Sequence, residues 1–94
     1  MPLSDEYQKL GIILNRQKKY DEAIKAFKKS LHEDPNNHIS EFFILRTKDE
    51  YYKDTDAKIE MYKKFILNNE QSPFRTYAID RLDALKKEKF LDDN

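Results

Sequence analysis

Residues 20–37, YDEAIKAFKKSLHEDPNN, decide how the chain folds. Ala23, Ile24, Phe27, Ser30 and Leu31 recur at three- and four-residue spacing, so an α-helix gathers them on one face and leaves the charged residues on the other. Asp21 is a candidate cap for the start of this helix. Pro35 ends it, because proline lacks a backbone donor and pushes the residue before it out of the helical region.

Upstream, Ser4 followed by Asp5 and Glu6 predicts a helix start, with a capping hydroxyl and carboxylates at the positive end of the dipole. Tyr7, Leu10, Gly11 and Leu14 then form a stripe, and the polar run NRQKK (15–19) breaks it. Two short helices joined this way form a helical hairpin. Downstream, residues 38–52 carry Ile39, Phe42, Phe43, Ile44 and Leu45, and KDTD (53–56) is a polar break with capping residues. Residues 57–67 carry Ile59, Met61, Tyr62, Phe65 and Ile66. In NNEQSP, Ser72 is a candidate cap and Pro73 suits a first helical turn. A last helix over 74–90 places Phe74, Ala78, Ile79, Leu82 and Leu85 on one side and ends in lysines, with 91–94 expected to fray. The expected class is all-α, with five helices.

The composition narrows the function. The 94 residues make one small domain or a piece of a longer chain, with hydrophobic and charged residues at 38% each and one glycine. Folding at this size buries roughly 60–65% of the unfolded surface, so a closed catalytic pocket would compete with a thin core. Eighteen basic residues balance eighteen acidic ones, whereas nucleic-acid binding draws on a basic excess. The clusters 16–19 and 25–29 sit among carboxylates and read as solvated helix faces. Absence of cysteine rules out disulfides, zinc thiolates and thiol nucleophiles and fits a reducing compartment. The longest apolar run, 42–45, cannot span a membrane, and the acidic start is no signal peptide. The cytoplasm is the expected location, or the bacterial periplasm or envelope if a signal segment has been removed.

Candidate chemistry fails residue by residue. His32 and His38 are the two histidines, and HEDPN lacks the second histidine that a zinc-protease helix needs four residues on. DTD (54–56) and the terminal LDDN lack the glycine and distal glutamate of a calcium loop. No metal, no cofactor and no catalytic residue is expected. Tyr51-Tyr52 reads as one ring closing a hairpin edge and one on the surface.

The chain also repeats itself. A shift of 35 superposes Tyr7 on Phe42, Leu10 on Leu45, Ile24 on Ile59, Phe27 on Tyr62 and Leu31 on Ile66, while a shift of 34 superposes Ala23 on Ala57 and Phe27 on Met61. The arrangement Tyr7-x2-Leu10-Gly11-x2-Leu14, then Tyr20, Ala23-x3-Phe27 and Pro35-Asn36, resembles the tetratricopeptide repeat. Leu14 stands for the family's usual tyrosine, Lys18 for its turn glycine and Ser30 for its second alanine. The resemblance implies stacked antiparallel helical hairpins, an α-solenoid of about two repeats: repeat 1 over 4–37, a divergent repeat 2 over 38–71, and a capping helix over 72–90. In the second repeat Arg46 replaces the glycine and Lys58 the alanine. Residues 58–82 look like the divergent repeats of bacterial envelope and lipoprotein-assembly members of the family. Phe27, Tyr62 and Phe65 are the expected core wedges.

The same resemblance implies a concave groove lined by the first helix of each hairpin, which receives a peptide or a partner segment. The mapped candidates are Gln8, Ile12, Asn15 and Arg16 from the first hairpin, with Phe42 or Phe43, Arg46 and Asp49 from the second. Family members that clamp C-terminal carboxylates use a lysine and an asparagine where this chain has Gln8 and Ile12, so that clamp is missing. The mixture suits an apolar anchor flanked by an acidic residue. The expectation is a non-catalytic interaction module with a protein or peptide partner, no nucleic acid and no membrane span. The alternative is a structural or self-associating segment of a longer helical-repeat scaffold, in which case a homo-oligomer is possible.

Overall fold

The computed structural model describes residues 2–93. It contains five α-helices and, among the described residues, no strand: α1 (Pro2–Arg16), α2 (Tyr20–Glu33), α3 (His38–Tyr51), α4 (Thr55–Asn68) and α5 (Arg75–Asp93). None of these helices is long and apolar enough to cross a membrane. The chain divides between Tyr51 and Tyr52 into two units. This division falls inside the stretch 38–71, where the sequence predicts the second repeat.

In the first unit α1 and α2 pack as an antiparallel hairpin: Ser4 near the start of α1 meets Ser30 near the end of α2, and Gly11 meets Phe27. Antiparallel packing continues from α2 to α3, through Ser30 on Ser40, Phe27 on Phe43 and Tyr20 on Tyr51. As a result α1 and α3 run parallel, linked by Asn37–Ser4 at one end and Asn15–Thr47 at the other.

Phe27, Ala23 and Ala26 are the apolar centre of this unit, with Phe42 and Leu45 from α3. Phe27 lies so close to Gly11 that a Cβ there would stand 2.5 Å from its Cε1. The ring is also packed against Phe43, stacked with centroids 5.5 Å apart and planes 14° from parallel, which restricts its movement. A glycine inside a helix is intrinsically unfavourable, so Gly11 is explained by this close approach.

The turn between α1 and α2 is a Schellman motif. Lys18 N–H donates to Asn15 O and Lys19 N–H to Leu14 O, each at 2.9 Å, satisfying carbonyls that the helix end leaves open. The motif requires a left-handed residue, and Lys18 supplies it with φ 62°. Glycine adopts this conformation without a steric penalty, whereas lysine adopts it at a cost.

Two capping expectations are corrected. The α1 helix begins at Pro2, and Ser4 is fully buried inside its first turn, bonded to α2 instead of capping its own helix. The α2 helix begins at Tyr20 on Lys19 with no side-chain cap, so Asp21 acts within the first turn as a charge at the positive dipole end. Pro35 does end α2: Asp34 before it is extended, at φ −143° and ψ 96°, and its carboxylate accepts from Asn36 N–H.

Leu10 and Ile39, expected on core stripes, are 45% and 42% exposed, because α1 and α3 turn other faces toward α2. Ser30 is buried on the α2 face where its spacing puts it, and the buried positions of this unit that apolar patterning misses include Ser4, Ser40 and Thr47.

The second unit pairs α4 with α5. Ile59, Tyr62 and Phe65 recur on the buried face of α4, against Ala78, Leu82 and Leu85 of α5. Asp54 caps α4, its carboxylate accepting from Asp56 N–H at 3.0 Å. Before α5, Ser72 Oγ accepts from Phe74 N–H and folds the SP stretch into a turn, so the helix starts at Arg75, later than its cap residue suggests. At the far end α5 remains helical through Asp93, where the sequence predicts fraying from Leu91; Asn94 lies outside the described residues. Lys89 near the end of α5 pairs with Asp56 at the start of α4, so these helices are also antiparallel.

Candidate functional site

The parallel helices α1 and α3 leave a cleft of about 450 Å³ in the first unit. From α1, Ile12, Asn15 and Arg16 reach it, three and four residues apart and therefore on one face. From α3 it receives Phe43, Arg46 and Glu50 by the same periodicity. Lys18, in the turn, and Tyr20, at the start of α2, line it from the connection between α1 and α2.

Its walls are held in place. Asn15 Nδ2 donates to Thr47 Oγ1 at 3.0 Å, tying α1 to α3 beneath the cleft. Thr47 is fully buried, so this bond gives its desolvated hydroxyl oxygen a donor. Phe43 is fixed by its stack on Phe27, and Tyr20 by the edge of Tyr51 at 5.8 Å.

A polar cluster joins the other end of the three helices. Ser4 Oγ donates to Ser30 O at 2.9 Å, and Ser30 Oγ donates to Ser4 O at 2.8 Å. Each hydroxyl has one proton, so the 2.6 Å contact between Ser30 Oγ and Ser40 Oγ is donated by Ser40. Asn37 completes the cluster. Its Oδ1 caps α3 by accepting from Ser40 N–H at 3.0 Å, and its Nδ2 donates to Ser4 Oγ at 2.9 Å and to Ser30 Oγ at 3.2 Å. All three helices are therefore pinned at one end through hydroxyls on α1, α2 and α3.

Of the mapped candidates, Ile12, Asn15, Arg16 and Arg46 line this cleft. Phe42 is placed in the core at 7% exposure, and its neighbour Phe43 takes the cleft position. Gln8 and Asp49 are half-buried and do not line the cleft. Glu50, Lys18 and Tyr20 are lining residues that the candidate set lacks. The repeat itself holds a signal for two of these differences. A shift of 35 carries Gln8 to Phe43 and Asn15 to Glu50, both in the cleft, whereas a shift of 34 carries them to Phe42 and Asp49.

The cleft carries apolar surface from Ile12, Phe43 and Tyr20, three cations (Arg16, Lys18 and Arg46) and one carboxylate, Glu50. His32 and His38 are exposed, and among the described residues no three His, Cys, Asp or Glu side chains gather as a metal site would need. Compared with protein-family models, residues 4–37 match the tetratricopeptide repeat. No curated protein and no solved structure matches the chain.

Proposed function

We propose, from the match of residues 4–37 to the tetratricopeptide repeat, whose repeats generally mediate protein–protein interaction, that the chain is a non-catalytic module that holds a partner's segment in the cleft between α1 and α3. The observation carrying the reading is the cleft itself: a fixed aromatic platform, Phe43, beside an aliphatic wall, Ile12, with polar groups at the rim. Interaction sites combine such buried apolar anchors with a polar surround. The preference for a binding role over chemistry rests on the family and on this lining.

The test is selection of a phage-displayed library of random twelve-residue peptides on the wild-type chain and on Ile12→Arg. Ile12 is half-buried at the cleft, so a long side chain there obstructs it while leaving the α1–α2 core untouched. Selected peptides are expected to bind the wild type and lose binding to Ile12→Arg, with unchanged helical circular dichroism. Peptides that bind both equally would refute a cleft-borne function.

A second reading, a structural or self-associating segment, is favoured by the end of α5. There Phe90 and Leu91 are 68% and 72% exposed beside Lys86 and Lys87. Analytical ultracentrifugation tests the self-association: a monomer across a wide concentration range removes it, and a segment of a longer scaffold is tested on the full-length gene product.

A further inference from the structure

Lys18 occupies the one left-handed position among the described non-glycine residues, and it also lines the cleft. A left-handed backbone crowds Cβ against the following carbonyl, and glycine or asparagine relieves this. Lysine at such a position is therefore disfavoured by the fold. The Schellman bonds are made by the backbone of Lys18 and Lys19, so they do not require a lysine side chain. Strained backbone is retained where the residue serves a site.

Charge supplies the second observation. The chain as a whole balances eighteen basic against eighteen acidic residues, while the lining of the cleft holds three cations, Arg16, Lys18 and Arg46, and one carboxylate, Glu50. Arg16 and Lys18 lie at the C-terminal end of α1, where the helix dipole welcomes cations. Arg46 lies inside α3, where the dipole asks for none. The three converge on one concavity beside Ile12, Phe43 and Tyr20.

We propose that the cleft takes an acidic peptide segment with one apolar side chain, and that Lys18 holds its left-handed backbone in order to present a cation to that segment's carboxylates. This rests on the cleft reading above and specifies its ligand. The apolar side chain seats on Phe43 and Ile12; carboxylates before or after it meet Arg16, Lys18 and Arg46. Glu50 disfavours a carboxylate at its own end and so gives the bound segment a direction. A nucleic acid is the weaker fit, because phosphate recognition calls for a longer run of cations than these.

The experiment uses the peptides recovered from the random library whose binding is lost in Ile12→Arg. They are expected to be enriched in Asp and Glu around a Leu, Ile or Phe. Lys18→Asn keeps a residue that tolerates the left-handed backbone and removes the charge. It should weaken the best such peptide by about threefold to tenfold at low salt, as for a partly solvated charge pair, with no loss of melting temperature. Lys18→Arg should bind like the wild type, and Glu50→Gln should bind more tightly. Cleft-dependent peptides lacking acidic residues, or undiminished affinity in Lys18→Asn, would overturn the ligand assignment and leave the cleft reading standing. Peptides indifferent to Ile12→Arg would overturn both. Displacement of the peptide by single-stranded poly(U) at equal nucleotide and peptide concentration would overturn the assignment in favour of nucleic acid.

Discussion

Ser4 and Ser30 each donate a hydroxyl proton to the other's backbone carbonyl, at 2.9 and 2.8 Å, across the open end of the α1–α2 hairpin, far from the turn that joins the two helices. Both residues are fully buried. Hydroxyls buried this way are stable because every proton has an acceptor, and removal of one member leaves others unsatisfied. Serine at 30, where the family usually has alanine, is thus answered by serine at 4 and serine at 40.

Ser30→Ala should therefore cost about 1–2 kcal/mol even though it restores the family's usual residue, since the Ser40 hydroxyl and the Asn37 amide lose a partner. In a double-mutant cycle with Ser4→Ala, the two losses should fall short of additivity by more than about 0.5 kcal/mol. Thermal unfolding followed by circular dichroism measures this; strictly additive losses would mean that the two hydroxyls act separately.

Asn37 performs two tasks that different substitutions separate. Asn37→Ala removes both the α3 cap and the donors to Ser4 and Ser30, at an expected cost of about 1–2 kcal/mol. Asn37→Asp keeps the capping oxygen and cannot donate, so it should recover part of that loss. Full recovery in chemical denaturation would show that the cap alone matters.

Gly11→Ala is expected to destabilise, against the usual rule for a glycine within a helix. Alanine gains about 1 kcal/mol of helix propensity, but its Cβ would stand 2.5 Å from Phe27 Cε1, on a fully buried ring already stacked on Phe43. Overpacking of a fixed core costs typically about 1–3 kcal/mol. A higher melting temperature in Gly11→Ala would show that the Phe27–Phe43 stack yields.

Lys18→Gly should raise stability by roughly 0.5–1 kcal/mol, the relief of a left-handed lysine less the extra freedom of glycine in the unfolded chain. For a domain of this size this corresponds to an increase of about 2–8 °C in the melting temperature. A decrease would mean that the lysine side chain contributes more to the fold than its backbone conformation costs.

The pair of Lys89 with Asp56 should contribute little. Its side chains are 45% and 65% exposed, so water and salt screen it, and Lys89→Ala should change stability by less than about 1 kcal/mol. A larger loss in urea denaturation would assign this contact a role in holding α4 to α5.

Periodicity in the sequence was enough to place five helices, because each bears an apolar stripe on one side and is bounded by proline, asparagine, aspartate or serine. Ala23, Phe27 and Pro35 determined the first hairpin, and Gly11 its close approach, since each is the residue type that one local requirement selects. Ile12, Asn15, Arg16 and Arg46, which line the cleft, follow from the resemblance to the tetratricopeptide repeat, carried to the second hairpin by the internal repeat. The choice between Phe42 and Phe43 does not. A one-residue change of register rotates a helix by about 100°, and two adjacent phenylalanines satisfy both registers until the packing of α2 on α3 selects one.

Helical spacing put Ser30 on the buried face of α2, but tertiary structure alone determined that Ser4 and Ser40 are buried against it. Ser4 follows the local rule for a helix cap, but its hydroxyl finds its acceptor on Ser30, twenty-six residues away, and no local pattern encodes that distance. Tertiary structure likewise set Lys18 and Tyr20 beside Arg46, because a cleft forms where two parallel helices and the turn beside them meet. Stripes and breaks follow from each residue's own chemistry and its near neighbours; partners across helices exist only once the chain has packed.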